Sequence, residues 1–210
     1  MVSAARHTDP GTMRAHGTLL ARIRRGVRLR RLNMSPGVRI AASTYIAPSA
    51  MIQTHSDGRS FGGRILVSER GIISDGVILA TYGGVIEIEA DVYLGPYCIV
   101  YGHGGVAIGR NTMIGAHTVI AAANHGFTRI DVPMNAQPLT KEGITIGEDV
   151  WIGSGCSILD GVRIGNGVVI GAGSVVTKDI DAYMIAAGGA ASVVRSRQGK
   201  LEERPSARDR

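Results

Sequence analysis

Residues 144–180 read ITIGEDVWIGSGCSILDGVRIGNGVVIGAGSVVTKDI, and an aliphatic side chain recurs there every six positions: Ile146, Ile152, Ile158, Ile164, Ile170 and Val176. Glycine follows at Gly147, Gly153, Gly165 and Gly171, and a small or β-branched residue stands four places after each aliphatic, at Val150, Cys156, Val162, Val168 and Ser174. A helix requires apolar residues three and four apart and a half-buried strand requires them two apart, so a period of six is neither. It fits a short strand plus a turn, with the aliphatic and the small residue pointing inward and Gly, Asn or Asp at the corner. Three such edges close a triangular coil. Coils stacked in parallel, about 4.8 Å apart, exchange backbone hydrogen bonds with one another. The spacing therefore predicts ladders that pair Ile146 with Ile164, Ile152 with Ile170 and Ile158 with Val176.

The register extends upstream in pieces. Ile108, Ile114 and Ile120 form one coil; Ile88, Leu94 and Val100 form the one before it, with two extra residues around GHGGVA; Ile40, Ile46 and Ile52 form an early coil. Residues 53–84 are β-rich without clean phase, so strands are expected there but no register.

Composition agrees with a repeat. The chain has 210 residues, enough for one domain, and its 30 Gly and 4% aromatic content call for a core of packed aliphatics. No window offers the roughly 18 to 20 apolar residues of a membrane span. The N-terminus, with His7, Asp9 and Pro10, lacks the apolar run of a secretory signal, and the reading is a cytoplasmic protein. Cys98 and Cys156 fall in the small inward slot, which makes them inert packing residues rather than a disulfide framework. The net charge of +6 sits in arginines near the ends, with no basic run interleaved with aromatics, so nucleic-acid binding is not expected.

After Ile120 the register lasts four residues, and the chain then leaves the coil at Asn124 and returns at Thr145. Long irregular excursions inside a compact domain are most often functional. His125 stands where the chain departs; on residue type alone it reads as a corner histidine.

The hexapeptide pattern resembles the left-handed parallel β-helix acyltransferases over roughly residues 36–195. The segment NHGFTRIDVPMNAQ, residues 124–137, is similar to the NHxF...P(I/M)xxQ stretch of their sugar and exopolysaccharide O-acetyltransferase branch, the maltose and galactoside acetyltransferase type. Left-handedness rests on this resemblance alone, because parallel crossovers are ordinarily right-handed. The resemblance implies a homotrimer with active sites between subunits, acetyl-CoA as co-substrate, no metal, and a sugar, nucleotide-sugar or lipid-linked saccharide as acceptor. His125 maps onto the catalytic histidine. An imidazole with a pKa near 6.5 suits removal of a hydroxyl proton near neutrality. Direct transfer is expected, since neither Ser nor Cys stands beside a base as an activated nucleophile would.

Carried over residue by residue, the Ser154 backbone donates to the developing oxyanion, with Trp151 beside the thioester. Ala172 and Gly173 follow the pantetheine arm, Thr177 and Lys178 approach the adenine and its phosphates, and Arg195 and Arg197 supply further phosphate contacts. Asn124, Tyr97, Tyr101 and Gln137 are the candidate acceptor contacts. Ala182, Ala190 and Ser192 depart from the Pro, Pro and Lys common in relatives. Gly95, Tyr97, Tyr101 and Gly102 stand where galactoside-type members place an Asn and an Asp, which argues against a simple galactoside acceptor.

Other readings share the prism: a streptogramin-type antibiotic acetyltransferase, a non-catalytic scaffold, and a γ-class carbonic anhydrase-like zinc enzyme drawing on His103, His117 and His125. Residues 1–35 form a basic arm in which Leu19, Ile23 and Val27 share one helical face among arginines. This arm is expected either to cap the prism or to dock on anionic lipid at the inner face of the membrane. Residues 36–187 form the β-helix with loop 124–145, and 188–210 form an extension ending in a polar tail.

Overall fold

The computed structural model describes residues 19–56, 59–60 and 62–197. It is a left-handed parallel β-helix capped at its start by one α-helix, Leu19–Met34. Three parallel sheets form its faces. The first runs through Val38–Ile40, Arg64–Val67, Val85–Ile88, Val106–Ile108, Ile144–Ile146 and Arg163–Ile164. The second begins at Tyr45–Ile46 and the third at Met51–Gln53.

The ladders pair as the period predicts, with Ile146 beside Ile164, Ile152 beside Ile170, and Ile158 beside Val176. The early coil joins the rest through a level that the sequence reading left unassigned. Val67, Ile73 and Leu79 sit above Ile40, Ile46 and Ile52 and below Ile88, Leu94 and Val100. Val67, Ile73 and Leu79 are themselves six apart. Nearly every ladder residue is buried, and Ile52, at the open end, is partly so.

The spacing from the first face to the second, and from the second to the third, is six residues at every level. Every longer link lies between the third face and the first: Ile52 to Val67, Leu79 to Ile88, Val100 to Ile108 and Ile120 to Ile146. Inter-coil hydrogen bonds fix the strands, not the length of the connection at a corner, so one edge collects all the extra chain. Elsewhere the corners are tight. A Cβ on Gly153 would lie 2.5 Å from the Ala172 amide, which is why glycine follows the ladder residue.

The α-helix closes the open end. A first coil has carbonyls facing away from its neighbour with no strand to receive them, and buried orphans of this kind are costly. The Arg25 guanidinium donates to the Thr44 carbonyl (3.2 Å) and that of Arg28 to the Ala50 carbonyl (2.6 Å). The Asn33 side chain bonds both the N–H and the C=O of Ile40, and Leu29 and Leu32 pack on the core. Residues 19–34 thus cover the open end, with Ile23 and Val27 pointing into solvent.

At the other end, Met184–Ala187 continues the second face and Ser192–Ser196 folds back antiparallel on it. The C-terminal extension thus includes a paired strand, Ser192–Ser196; residues 198–210 lie outside the described residues. Among the described residues no helix is long and apolar enough to cross a membrane.

Candidate active site

The long-link edge carries the chemistry. Ala122 is buried as the chain leaves the prism, and the first-face strand resumes at Ile144, one residue before the return expected at Thr145. Asn124–His125 pairs antiparallel with Leu139–Thr140, so His125, exposed, is held opposite Leu139 at the root of the excursion. Asp160, from the coil above, anchors the returning strand. Its carboxylate accepts from the amides of Glu142 and Gly143 and from the Thr140 hydroxyl, at 2.9 to 3.1 Å. Phe127, Ile130 and Met134 are displayed on the outside of the loop, Ile130 fully exposed.

Gln137 stands differently from the substrate contact expected of it. Buried inside the loop, its Nε2 donates to the carbonyls of Arg129 (2.8 Å) and Val132 (2.9 Å), while its Oε1 accepts from the Arg129 amide. It is a staple for the loop's own backbone. Asn124 is exposed beside His125.

An aromatic cluster that sequence reasoning did not assemble, and whose Tyr82 it did not name, lies on the same edge. Tyr82 and His103 stack with centroids 4.4 Å apart and planes 11° from parallel, and Tyr101 meets Tyr82 edge-on at 5.4 Å. Burial above all, then the charges of Lys141 and His125, push the His103 imidazole below its usual range, with Asp160 opposing. Its Nδ1 is buried without a hydrogen-bond partner. Both Tyr82 and His103 belong to the short extra links of this edge, a signal visible once the two additional residues around GHGGVA are seen as a loop rather than a phase error. Tyr101 therefore joins the edge of His125, whereas Tyr97 does not.

Tyr97 lies on the tight edge between the second and third faces, stacked with His117 at 5.2 Å. The three histidines of the zinc reading thus divide between two edges, and no group of three metal-ligating side chains gathers among the described residues. Higher on this tight edge the turn slot held by Tyr97 and His117 passes to Gly155 and Gly173. Both have positive φ and nothing within 4 Å of an added Cβ, which leaves an open trough. The amides of Ser154 and Ala172 line it and donate to no group among the described residues. Trp151 projects from the second face and is more than half exposed.

Thr177 and Lys178 lie past the third face on the long-link edge, both exposed. Arg195 stands instead on the antiparallel strand of the second face, away from Lys178. Arg197, expected at a phosphate, is committed to the fold: its guanidinium binds the Asp149 carboxylate (2.8 Å) and the Gly167 carbonyl (3.0 Å). Within one chain, then, His125 and the Ser154 amide are separated by the width of the third face, about six residues of extended chain or roughly 20 Å.

The repeat itself is shared with known proteins. The family model described as bacterial transferase hexapeptide (six repeats) matches residues 143–178, and that of the hexapeptide repeat of succinyl-transferase matches residues 85–122. Both stretches thus carry the hexapeptide repeat of these transferase families. The chain's relatives include a Saccharomyces cerevisiae protein named as an acetyltransferase, 39% identical over 126 residues, covering 60% of this chain and 61% of the relative. The galactoside O-acetyltransferase of Escherichia coli is 37% identical over 121 residues, covering 55% of this chain and 56% of the relative. The chain spans less than two thirds of the length of these curated relatives. Among solved structures, AntD, an N-acyltransferase from Bacillus cereus in complex with dTDP and 3-hydroxybutyryl-CoA, superposes with a TM-score of 0.66 at 21% identity, over 81% of this chain and 87% of that one. At that identity the likeness is one of fold.

Proposed function

We propose that this hexapeptide-repeat chain is an acetyl-CoA-dependent O-acetyltransferase acting on a sugar or glycan precursor, with His125 as general base. One observation carries the reading: an exposed histidine fixed by strand pairing at the root of the one long loop, beside an aromatic cluster. In the reaction His125 takes the acceptor hydroxyl proton as the oxygen attacks the thioester carbonyl. The Ser154 amide donates to the resulting oxyanion, an interaction worth about 3 kcal/mol where such a donor is preorganised. Collapse of the tetrahedral intermediate expels the CoA thiolate, which recovers the proton from the imidazolium. Ala172, Gly173, Thr177 and Lys178 hold the donor. Tyr82 and Tyr101 offer ring faces to the C–H face of a sugar. The galactoside and polysialic acid O-acetyltransferases of Escherichia coli, by name enzymes of sugar acceptors, support this class. Consumption of acetyl-CoA places the work in the cytoplasm.

The site requires neighbours. The outward residues of the second face are apolar (Ile72, Tyr93, Met113, Trp151, Val169), as are most of the third (Met51, Ile78, Ile99, Val119, Val175). The first presents Arg39, Glu87, Thr145 and Arg163. Two apolar faces per chain need two neighbours, which a closed ring of three supplies, and large exposed apolar surfaces mark such interfaces. A second copy then brings His125 to the trough that the first copy cannot reach.

Calorimetric titration of acetyl-CoA into the purified protein tests the reading. Micromolar binding that weakens in Lys178→Ala but survives in His125→Ala, with turnover abolished in the latter, is the expected result. Absence of donor binding would leave a scaffold, and wild-type turnover in His125→Ala would remove the general base.

A further inference from the structure

The capping helix turns one face to the prism and leaves another unpartnered. Arg25, Arg28, Leu29, Leu32 and Asn33 hold it down. On the opposite side Leu20, Ile23, Val27 and Met34 follow helical spacing as a single stripe, exposed by 67%, 53%, 62% and 83%. A cap needs no apolar outer surface; water there is a cost. The stripe is bordered by exposed arginines on both flanks, Arg24 and Arg31 on one side and Arg30 on the other, and residues 19–34 contain no Asp or Glu.

We propose that this outer face is a peripheral docking surface for an anionic phospholipid bilayer. Apolar residues in a narrow stripe with guanidinium groups beside them are the arrangement of an interfacial helix. The stripe enters the headgroup boundary while the long basic side chains reach phosphate and carboxylate groups at its level. A second copy of the chain is the poorer occupant, since joining two caps face to face would oppose two sets of arginines with no acidic residue of either helix to compensate. The stripe lies on the outer side of the capping helix, away from the long-link edge, so the inference does not rest on acyl transfer.

The test is co-sedimentation of the full chain with vesicles of phosphatidylcholine alone and of phosphatidylcholine containing phosphatidylserine. Binding is expected on the anionic vesicles and not on the neutral ones. It should fall about fivefold for each arginine removed, hence roughly twenty-five-fold in the double variant Arg24→Gln/Arg31→Gln. The double variant Ile23→Ser/Val27→Ser removes the stripe and is expected to abolish sedimentation. Because all four side chains are exposed, both variants should unfold at the wild-type temperature. Binding that survives either variant, equal binding to both vesicle types, or no binding overturns the proposal. So does a doubled particle mass in solution that the Ile23→Ser/Val27→Ser variant halves, which would assign the stripe to a second copy.

Discussion

His103 and His125 share an edge but not an environment, and the difference sets a test. Burial and nearby positive charge hold the His103 imidazole below its usual range, so the folded protein binds fewer protons there than the unfolded chain. Stability must then fall as pH drops through the unfolded histidine range. Thermal unfolding followed between about pH 7 and about pH 5 should show a steeper acid loss in the wild type than in His103→Gln. The same scale explains the cysteines. Cys98 donates from Sγ to the Gly115 carbonyl at 3.0 Å, and burial pushes its thiol up to about 11. Cys156 is likewise raised by burial and points at the Gly171 carbonyl. A thiol-disulfide reagent at mildly alkaline pH should label neither residue in the native protein and both once it is unfolded. Their slot was legible from the period, since each stands four places after a ladder residue.

Among elements, the decisive one is the strand pair at the root of the long loop, because it converts a flexible excursion into a fixed histidine. Asp160 governs it from the next coil. Asp160→Ala removes the acceptor of two backbone amides, and hydrogen exchange at Glu142 and Gly143 should accelerate about tenfold or more, a charge-assisted hydrogen bond being worth about 1.5 to 3 kcal/mol. Exchange in the Ile152 and Ile170 ladder should not change, which separates local release from global loss. The sequence showed that a loop leaves at residue 124 but not what holds it, because the Asp160 contact joins two coils through a corner that follows no repeat rule. The helix gave the opposite lesson. Apolar residues occupy both its sides, so pattern alone, which put Leu19, Ile23 and Val27 on one face, did not decide between a cap and a lipid surface. The carbonyls of Thr44 and Ala50, which exist as orphans only at the end of a coil stack, draw in Arg25 and Arg28 and turn Ile23 and Val27 outward.

For the whole molecule, the distribution of outward residues matters more than any single one. Met113 and Trp151 stand in adjacent coils of an apolar face and are half exposed in the single chain. Met113→Glu places a charge in the middle of the proposed interface, where an unpaired buried charge is costly. Light scattering should show the particle mass falling from about three chains to one, as expected for a closed ring. Acetyl-CoA turnover should fall with it, because the Ser154 amide and His125 lie on different edges of each prism. An unchanged mass would exclude the second face from the assembly.

What the chain encodes by itself is the coil. A six-residue period in ladder aliphatics states strand, turn and stacking locally, and the period persists between residues 53 and 84, where the sequence reading found no register. There Val67, Ile73 and Leu79 keep the period but are shifted by unequal links on either side. What only the tertiary structure decided is where those irregular links converge. Register is fixed by hydrogen bonds between coils, so insertions of any length are tolerated at a corner. Only stacking shows that Tyr82, Tyr101, His103, His125 and Asp160, spread over nearly eighty residues of chain, share a single edge.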